Sequence, residues 1–332
     1  MSIHPDKDRK KKDVRAEGLK TASRLTPYAS RIIDLHTHGI GGYDTRNATA
    51  DTVLKIAGIH GAHGVSAILP TIYPTSIEKM RADMAAVKQA MEKQGSESGV
   101  RGSGLKHASR LTPYASRILG VHLEGPFLNP ARCGALDGGS FLEPTARNFR
   151  RLIDGFEDIV RIVTIAPELK GARKLIKAMT DMGIMANMGH SDATYAEAEA
   201  GYKAGAKGIT HIFNAMRGIH HREPGIAGFG LLNKEAYIEV IADPFHLHTK
   251  TIELIFQNKD RRKIILVSDS VKGSKKALAH NGVRNEKGKL LGGSMTISES
   301  ARRLISMGLS EKVVMDCISR NPAAYLNLPG SK

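Results

Sequence analysis

The sequence predicts an α/β protein built as a (β/α)8, TIM-like barrel. Eight short runs rich in β-branched residues recur along the chain, and segments with the period of an amphipathic helix separate most of them. Five of these runs lead into a histidine, aspartate or glutamate, as expected when parallel strands direct their carboxyl ends toward one point. A length of 332 residues suits one large barrel or two ordinary domains. The alternation of strands and helices favours the barrel.

The predicted elements follow this alternation in chain order. The strand candidates are residues 31–36, 65–70, 118–124, 159–165, 184–189, 208–212, 237–242 and 263–268. Helical patterns occupy residues 49–60, 76–93, 171–182, 195–204 and 249–257, and two more, 298–307 and 310–319, would close the carboxyl-terminal end. Residues 275–292, rich in Gly, Asn and Lys, predict an excursion from the last strand in the form of a loop or hairpin.

Three regions are predicted along the chain. Residues 1–17 form a charged segment that is expected to be disordered, residues 18–328 form the barrel domain, and residues 329–332 form a short tail. Inside the barrel domain, GLKTASRLTPYASRI at 18–32 recurs as GLKHASRLTPYASRI at 104–118, with Thr21 replaced by His107. Near-identity over so short a span, without a structural period, indicates a segmental duplication of a surface linker.

Composition argues against several classes of protein. Hydrophobic residues make up 41% and charged residues 25%, which is normal for a globular chain. The sequence has no long uncharged apolar stretch and no secretory signal at its start, so a cytoplasmic location and no membrane partner are expected. Cys133 and Cys317 match no zinc or redox spacing and are expected to be reduced thiols.

The net charge of +16 distinguishes less well between classes of binding partner. Much of it comes from short basic runs without the interleaved aromatic residues that stack on bases, so no specific nucleic acid is expected as a partner. A positive field would also attract a phosphorylated substrate.

Residues that can bind a metal follow the ends of predicted strands. The segment IIDLHTHG carries Asp34, His36 and His38, which share one face if the strand stays extended. Such pairs also occur as surface or core histidines, so the hypothesis depends on later segments. Those segments are GVHLEGPF with Glu124, NMGHSDAT with His190, THIFNAM with His211 and LVSDS with Asp269.

The donor types indicate a catalytic metal site. Glu124, His190 and His211 offer two imidazoles and a carboxylate with room for water, which is the donor count of an open zinc site. His36 and His38 could bind a second ion nearby. We therefore expect one or two divalent ions, with Zn, Fe, Mn and Co left open.

A carboxylate after the last strand suits proton transfer. Asp269 could take a proton from the attacking water and return it to a departing amine. Its alternative role is an N-cap, which the following segment VKGSKKALAHNG does not favour. His122 points to the same face as Glu124 and is expected to support a ligand or to pack.

Taken in order, DLHTHG, HLEGPFLNP, GHSDAT, THIFNAM, HHREPGI, IADPFHLH, VSDS, GGSMTISES and SRNPAAYL resemble the N-acetylglucosamine-6-phosphate deacetylase family of the amidohydrolase superfamily. The resemblance runs from about residue 31 to residue 328. It implies metal-dependent removal of acetate from an amino-sugar 6-phosphate. It implies that Glu124, His190 and His211 bind the principal metal, with His36 and His38 available for a second ion and Asp269 as the acid/base.

The same resemblance implies a substrate site and an assembly. Arg222 would reach the sugar phosphate from a neighbouring subunit, so a homodimer is expected. An arginine suits this role because its planar fork grips phosphate oxygens in pairs, whereas without the resemblance simple solvation would explain it. The implied substrate-binding residues are Ala135, Leu136, Asn214, Ala215, Arg222, Asp243, His246, Leu291, Gly292 and Gly293.

Three departures from the family pattern stand out. The chain enters its first barrel strand near Arg31 and ends soon after Leu328, so most of the small β-sandwich usual in such relatives is expected to be absent. Leu136 stands where many relatives have a histidine or glutamine, so one substrate hydrogen bond is expected to be missing. The duplicated segment precedes the first and third strands, where a misplaced strand would loosen ligand geometry.

The residues leave alternatives to this function. One is another amidohydrolase, acting on a cyclic amide or an N-acyl amino acid, although no lysine stands at a strand end to serve as a carbamylated ligand. Another is a truncated, inactive paralogue. Nucleic-acid binding has only the charge in its favour.

Overall fold

The computed structural model describes residues 32–98, 115–274 and 282–329. The predicted disordered segment 1–17 and the first copy of the duplicated segment, apart from Ile32, lie outside the described residues. Most of the second copy does so too, since its description begins at residue 115. Of the predicted tail, only residue 329 is described.

The described strands and helices alternate as the sequence predicts. The strands are β1 Ile33–Thr37, β2 Gly39–Ile40, β3 Tyr43–Asp44, β4 Ala67–Ile72, β5 Arg117–Ile118, β6 Val121–Glu124, β7 Val160–Ile165, β8 Met185–Met188, β9 Gly208–Ile209, β10 Tyr237–Ile241, β11 Ile264–Val267, β12 Val283–Arg284 and β13 Leu290–Gly292. The α-helices are α1 Ala50–Ala62, α2 Ile77–Ser98, α3 Ala146–Ile153, α4 Ala172–Asp181, α5 Tyr195–Lys203, α6 Gly225–Leu232, α7 Thr249–Asn258, α8 Ile297–Ser306, α9 Glu311–Ile318 and α10 Arg320–Tyr325.

Eight strands form the barrel. Neighbours follow the order β1, β4, β6, β7, β8, β9, β10 and β11, and each of these pairings is parallel. The backbone N–H of Asp269 donates to the His36 carbonyl at 2.8 Å, and that of His38 donates to the Ser270 carbonyl at 2.8 Å. These bonds join β1 to the segment after β11 and close the ring. The predicted (β/α)8 barrel is confirmed.

Local sequence explains several helix starts. Thr194 before α5 and Thr296 before α8 each begin a T-x-x-E capping box, in which the Thr hydroxyl and the Glu carboxylate satisfy amide groups at the helix start. Helix α6 is a different case and was not predicted. Its sequence, GIAGFGLL, contains three glycines and no polar face, so burial against the barrel rather than propensity stabilises it.

Two other short helices were also missed, namely α3 and α10. Residues 275–292 were predicted to form a loop or hairpin. The described part of this segment is a hairpin, because β12 and β13 pair in antiparallel fashion.

None of the described helices is both long and apolar enough to cross a bilayer. Cys133 and Cys317 are free thiols, as expected.

Alternation of side chains along the strands divides the core into two parts. The larger part lies between the barrel and its helices and includes Ile68, Leu266 and Phe229. The other cluster contains residues from the opposite strand face, such as Leu35 and Leu69, together with Tyr325 of α10. It fills the barrel interior, so the carboxyl ends of the strands are left as the place for a polar site.

Candidate active site at the barrel mouth

A cavity of about 450 Å³ opens at the carboxyl ends of the barrel strands. A larger groove of about 700 Å³ lies beside α4 and is lined by none of the predicted site residues. Tyr73, Arg284 and Lys289 line the cavity and were not predicted. The predicted residues that line it are His38, Glu124, Ala135, Leu136, His190, His211, Asn214, Ala215, His246, Asp269, Leu291 and Gly292.

Glu124 lies at the centre of the predicted metal ligands. Its Oε1 is 3.1 Å from His190 Nε2 and 2.9 Å from His211 Nε2. Its Oε2 is 3.1 Å from His38 Nε2. The possible ligand atoms of Glu124, His190 and His211 all lie within 4.8 Å of one another. One carboxylate is therefore shared by imidazoles from three different strand ends.

A second group of ligand atoms adjoins the first. His36 Nε2 is 3.3 Å from His38 Nε2 and 3.4 Å from Asp269 Oδ1. His36, His38 and Asp269 also satisfy the 4.8 Å separation. We call the six residues together the strand-end cluster: His36, His38, Glu124, His190, His211 and Asp269.

The spacing of two in β1 does not explain the whole arrangement. The pairing register of β1 with β4 shifts between Asp34 and Thr37, so simple alternation is interrupted there. Asp34 is buried and accepts the backbone N–H groups of His36 and Ser268 through Oδ1. It supports the backbone around the cluster, whereas the sequence suggested that it would project with the two histidines.

The remaining ring nitrogens orient the imidazoles. His38 Nδ1 is 3.1 Å from the Thr71 carbonyl, and His190 Nδ1 is 2.9 Å from the Arg132 carbonyl. Because a carbonyl only accepts, each Nδ1 carries a proton and donates it, which leaves Nε2 as the ring atom that faces the Glu124 carboxylate. Ring nitrogens that converge on a carboxylate in this way form an arrangement that suits a cation lying among them.

The donor chemistry therefore fits a divalent metal. Two imidazoles and one carboxylate match a catalytic zinc-type set, and the adjacent group supplies two more imidazoles and another carboxylate. All six residues are buried, with residue exposures from 0% for His36 to 8% for Asp269. Buried polar groups in such number are costly without a compensating partner.

Three residues of the strand-end cluster have an unusual backbone conformation. His190, His211 and Asp269, each just beyond a barrel strand, have positive φ values of 46°, 29° and 45°. Residues other than glycine rarely adopt this region, and each instance costs of order 1–3 kcal/mol. The fold holds three cluster residues in strained conformations, which aim their side chains at a common point and favour a functional role.

Electrostatics distinguish the members of the cluster. Burial lowers the pKa of the His36 imidazole well below its ordinary value, against the opposing effect of the Glu124 carboxylate. Burial alone would raise the pKa of Glu124, but the His190, His211 and His38 imidazoles hold that pKa well below its usual range. The neutral imidazole and the ionised carboxylate are the forms that bind metals.

Asp269 behaves in the opposite way. Burial, followed by the negative charges of Glu124 and Glu239, raises the pKa of the Asp269 carboxyl well above its ordinary value. A bound cation would oppose this effect by favouring the carboxylate. Of the two carboxylates in the cluster, Asp269 is the one whose surroundings favour holding a proton.

A buried chain of hydrogen-bonded polar side chains contacts His36 at its Nδ1 atom. His36 Nδ1 is 3.2 Å from Glu239 Oε2, and Glu239 Oε1 accepts from Asn187 Nδ2 at 2.7 Å. The hydroxyl of Tyr325 donates in turn to Asn187 Oδ1. Sequence reasoning missed this chain, although a glutamate inside the apolar strand YIEVI was an available signal.

His122 has a supporting position, as predicted from its strand face. Its Nδ1 lies 3.1 Å from the Leu35 carbonyl and its Nε2 lies 2.8 Å from the Thr164 hydroxyl. Burial lowers its pKa to about 3. Because both ring nitrogens already have protein partners, His122 stabilises the barrel beneath the cluster.

Some predicted substrate residues contact the cavity indirectly. Asp243 is 1% exposed, and its Oδ1 lies 2.9 Å from His246 Nδ1 while its Oδ2 accepts from Ser294. Asp243 therefore orients His246, which does line the cavity. Gly293 packs directly on the backbone of Ser268, where a Cβ would lie 1.8 Å from the carbonyl oxygen.

The loop over the cavity is anchored through ion pairs. Arg132 and Arg217 both pair with Asp192, at 2.7 and 2.6 Å respectively. These contacts fix residues 129–141, which carry Ala135 and Leu136, to the loops after β8 and β9. Leu136 lines the cavity with an apolar side chain, as expected from the sequence.

Arg222 lies apart from the cavity of its own subunit. It is exposed on the loop 217–224, and its Nε is 3.0 Å from His221 Nε2. It is not among the residues that line the cavity. The structure therefore does not bring Arg222 together with the other predicted substrate residues within one chain.

Comparisons with known proteins give a consistent set of relatives. A scan against models of protein families finds no match. N-acetylglucosamine-6-phosphate deacetylase of Bacillus subtilis (strain 168) is 32% identical over 285 residues, covering 82% of this chain and 68% of that protein. N-acetylgalactosamine-6-phosphate deacetylase of Escherichia coli O157:H7 is 29% identical over 311 residues, covering 90% and 78%.

A solved structure is also similar. It is a mutant N-acetyl-D-glucosamine-6-phosphate deacetylase from Mycobacterium smegmatis in complex with N-acetyl-D-glucosamine-6-phosphate. It matches with a TM-score of 0.76 at 27% identity, covering 90% of this chain and 77% of that one. The similarity extends over most of the barrel.

Proposed function

We infer the function from one premise: the chain belongs to the N-acetylglucosamine-6-phosphate deacetylase family, within the amidohydrolase superfamily. It is a hydrolase that acts on a linear amide. The reaction is the conversion of N-acetylglucosamine 6-phosphate and water to glucosamine 6-phosphate and acetate, in amino-sugar catabolism. The observation that carries this inference is the strand-end cluster, which offers metal-binding atoms beside a cavity of suitable size.

A second substrate has support of its own. The Escherichia coli relative is named for the galactosamine derivative and aligns with 90% of this chain. The two sugars differ only in configuration at C4, so one cluster could serve either. We therefore propose N-acetylgalactosamine 6-phosphate as the alternative substrate.

The cofactor is a divalent metal, and its ligands are proposed from the donor geometry. Glu124, His190 and His211 would hold the principal ion, and His36 with His38 would hold a second beside Asp269. When bound, such an ion acts as a Lewis acid that polarises the acetyl carbonyl and makes water a stronger nucleophile near neutral pH.

Asp269 provides the proton transfers. Its carboxylate accepts a proton from the water that attacks the acetyl carbon, and a C–O bond forms. It then donates that proton to the amide nitrogen as the C–N bond breaks, releasing acetate and the amine. The Asp269 carboxyl lines the cavity, and its Oδ1 lies 3.4 Å from His36 Nε2, so it is placed beside the proposed metal ligands where both proton transfers occur.

The rest of the cavity would position the sugar. Asn214 and His246 present polar groups, and Asp243 holds the His246 ring in place. Gly293 allows the chain to pass close to Asp269. The proposed sugar-contacting residues are Ala135, Leu136, Asn214, Ala215, His246, Leu291 and Gly292.

A homodimer is proposed from Arg222. Because this side chain does not line the cavity of its own subunit, it could contact substrate only in a neighbouring one. Sedimentation of the purified chain would test the assembly.

Acetate release coupled to metal analysis tests the proposed function. We expect release from N-acetylglucosamine 6-phosphate, loss of activity after chelation, and recovery when Zn²⁺, Mn²⁺, Fe²⁺ or Co²⁺ is added separately. The galactosamine epimer, run in parallel, distinguishes the two substrates. No acetate release from either sugar phosphate by the metal-loaded protein would reject the proposal.

A further inference from the structure

A glutamate outside the cavity lining joins two of the loops around the cavity. Glu168 follows β7 and is not among the residues that line the cavity. Its Oε1 accepts the side-chain amide of Asn129 at 2.9 Å and the backbone N–H of Asp192 at 2.7 Å. Its Oε2 accepts the hydroxyl of Ser191 at 2.7 Å. Hydrogen bonds to a carboxylate are among the stronger ones, so this group holds the loop after β6 to the loop after β8.

The donors to Glu168 lie on both sides of a proposed metal ligand. Ser191 and Asp192 directly follow His190, and Ser191 is fully buried. From the other loop, the backbone N–H of Asn129 donates to the His190 carbonyl at 2.9 Å. His190 has a positive φ of 46°, a conformation that a residue other than glycine keeps only where its surroundings impose it. Glu168 and its donors are part of those surroundings.

The loop that begins at Asn129 also orients the His190 ring. Asn129 Oδ1 accepts the backbone N–H of Ala131 at 2.9 Å, which starts the turn that leads to Arg132. The Arg132 carbonyl accepts from His190 Nδ1 at 2.9 Å, while His190 Nε2 lies 3.1 Å from Glu124 Oε1. A displacement of Asn129 would therefore move the carbonyl that sets the direction of the metal-binding nitrogen.

A second connection between the two loops is weaker. Asp192 pairs with Arg132 and Arg217, but its side chain is 30% exposed, and those of the two arginines are 39% and 34% exposed. Exposed ion pairs contribute little because solvent and salt screen them. Glu168, in contrast, bonds to a backbone N–H, a buried hydroxyl and a partly buried amide. Its carboxylate is therefore the main side-chain connection between the two loops.

We propose that Glu168 is a positioning residue for the principal ion. Its carboxylate holds the His190 backbone and the start of the loop 129–141 in one arrangement. The affinity of the principal site for a divalent ion therefore depends on it. Because it lies outside the cavity lining, Glu168 acts through His190 rather than on the ion or the sugar. This inference rests on the proposed function, since it concerns the metal of the same site.

The Zn²⁺ affinity of single variants tests this role. Glu168→Ala removes all three acceptor contacts, so the affinity should fall about 10–100-fold in a titration against a competing chelator. Glu168→Gln keeps one oxygen acceptor and gains an amide that can donate to the Ser191 hydroxyl, so its affinity should stay within about threefold of the wild-type value. Glu143→Ala, at an exposed glutamate just after the loop 129–141, is the matched control and should bind Zn²⁺ as the wild-type protein does.

Two readouts distinguish positioning from a general loss of stability. The visible spectrum of the Co²⁺-loaded protein reports coordination geometry, and at saturating Co²⁺ it should change in Glu168→Ala but not in Glu168→Gln. In the metal-free protein, trypsin should cleave after Arg132 faster in Glu168→Ala, because the loop has lost an anchor. A lower free energy of unfolding with unchanged Zn²⁺ affinity and an unchanged spectrum would overturn the proposal.

A milder variant decides the question should Glu168→Ala fail to fold. Asn129→Ala removes one of the three donors to Glu168, and its Zn²⁺ affinity should fall about 3–10-fold. Wild-type affinity in this variant would likewise overturn the positioning role. If the wild-type protein binds Zn²⁺ but releases no acetate from either sugar phosphate, the proposed function fails, and the Zn²⁺ affinities still decide the role of Glu168.

Discussion

The strand-end cluster and the rim of the same cavity are built in different ways. Cluster residues are at most 8% exposed and lie within or just beyond the barrel strands, and backbone carbonyls hold the His38 and His190 rings. The rim consists of loop 129–141 and the hairpin 283–292, and its Arg284 and Lys289 side chains are exposed. The difference indicates a division of roles, in which the barrel positions the reaction chemistry and the loops select the substrate.

Removing the shared carboxylate tests the cluster most directly. Glu124→Gln removes the negative charge on which imidazoles from three strand ends converge, so bound metal should be lost. Loss of several kcal/mol of transition-state stabilisation corresponds to on the order of 10³-fold in acetate release. Metal content by mass spectrometry and turnover measure both effects. Glu157→Gln, at an exposed position, is the control, and a variant with full metal occupancy would contradict the assignment.

Asp269→Asn separates proton transfer from metal binding. The variant keeps an oxygen at the same place but cannot accept the proton, so turnover should fall about 10²–10⁴-fold. The metal content should remain near the wild-type value, because Glu124, His190 and His211 are unchanged. Retained turnover would remove Asp269 from the mechanism, and Asp158→Asn on the surface serves as the comparison.

A substitution in the buried chain of side chains beneath His36 is expected to lower metal affinity, with a smaller effect than the two changes above. Glu239→Gln replaces the carboxylate that lies 3.2 Å from His36 Nδ1, which should weaken cation binding about 10–100-fold. Titration against a competing chelator measures the affinity, and activity should recover at saturating metal. Exposed Glu235→Gln is the control on the same segment. An unchanged metal affinity would show that Glu239 serves barrel packing alone.

At the rim, the smallest change is expected from Leu136→His. A hydrogen-bonding side chain here should contribute about 0.5–1.5 kcal/mol to substrate binding, which lowers KM by about 2–10-fold. The kcat and the metal content should stay the same. Leu232→His, at an exposed position on α6, controls for the added imidazole. A change in metal content would show that a substitution at the rim also alters metal binding by the strand-end cluster, which contradicts the proposed division of roles.

Most of the barrel could be read from local patterns. Short runs of apolar, β-branched residues predicted all eight barrel strands, because strands buried on both faces carry a nearly continuous apolar sequence. Helix α6 was not predicted, because its glycine-rich segment has no polar face and is stabilised by packing against the rest of the fold. The strand-end positions of Glu124, His190 and Asp269 were visible for the same local reason, since each follows an apolar run.

Other features of the site depend on contacts between distant segments. Glu239 meets His36 across 203 residues, and Lys289 meets Gly134 across 155. No period or spacing joins such pairs, because strand register and loop placement bring them together. The left-handed conformations of His190, His211 and Asp269 also belong to this class, since only the surrounding fold can hold residues in them.

By itself, the sequence determined the barrel, the set of residues at its strand ends and the resemblance to a deacetylase family. Those features follow from side-chain periodicity and local motifs, which are properties of short segments. The tertiary structure alone decided which ring nitrogens face one another, which buried carboxylate supports His36, and which cations border the cavity. These depend on barrel closure and on loop packing, where the free energy comes from contacts between segments far apart in the chain.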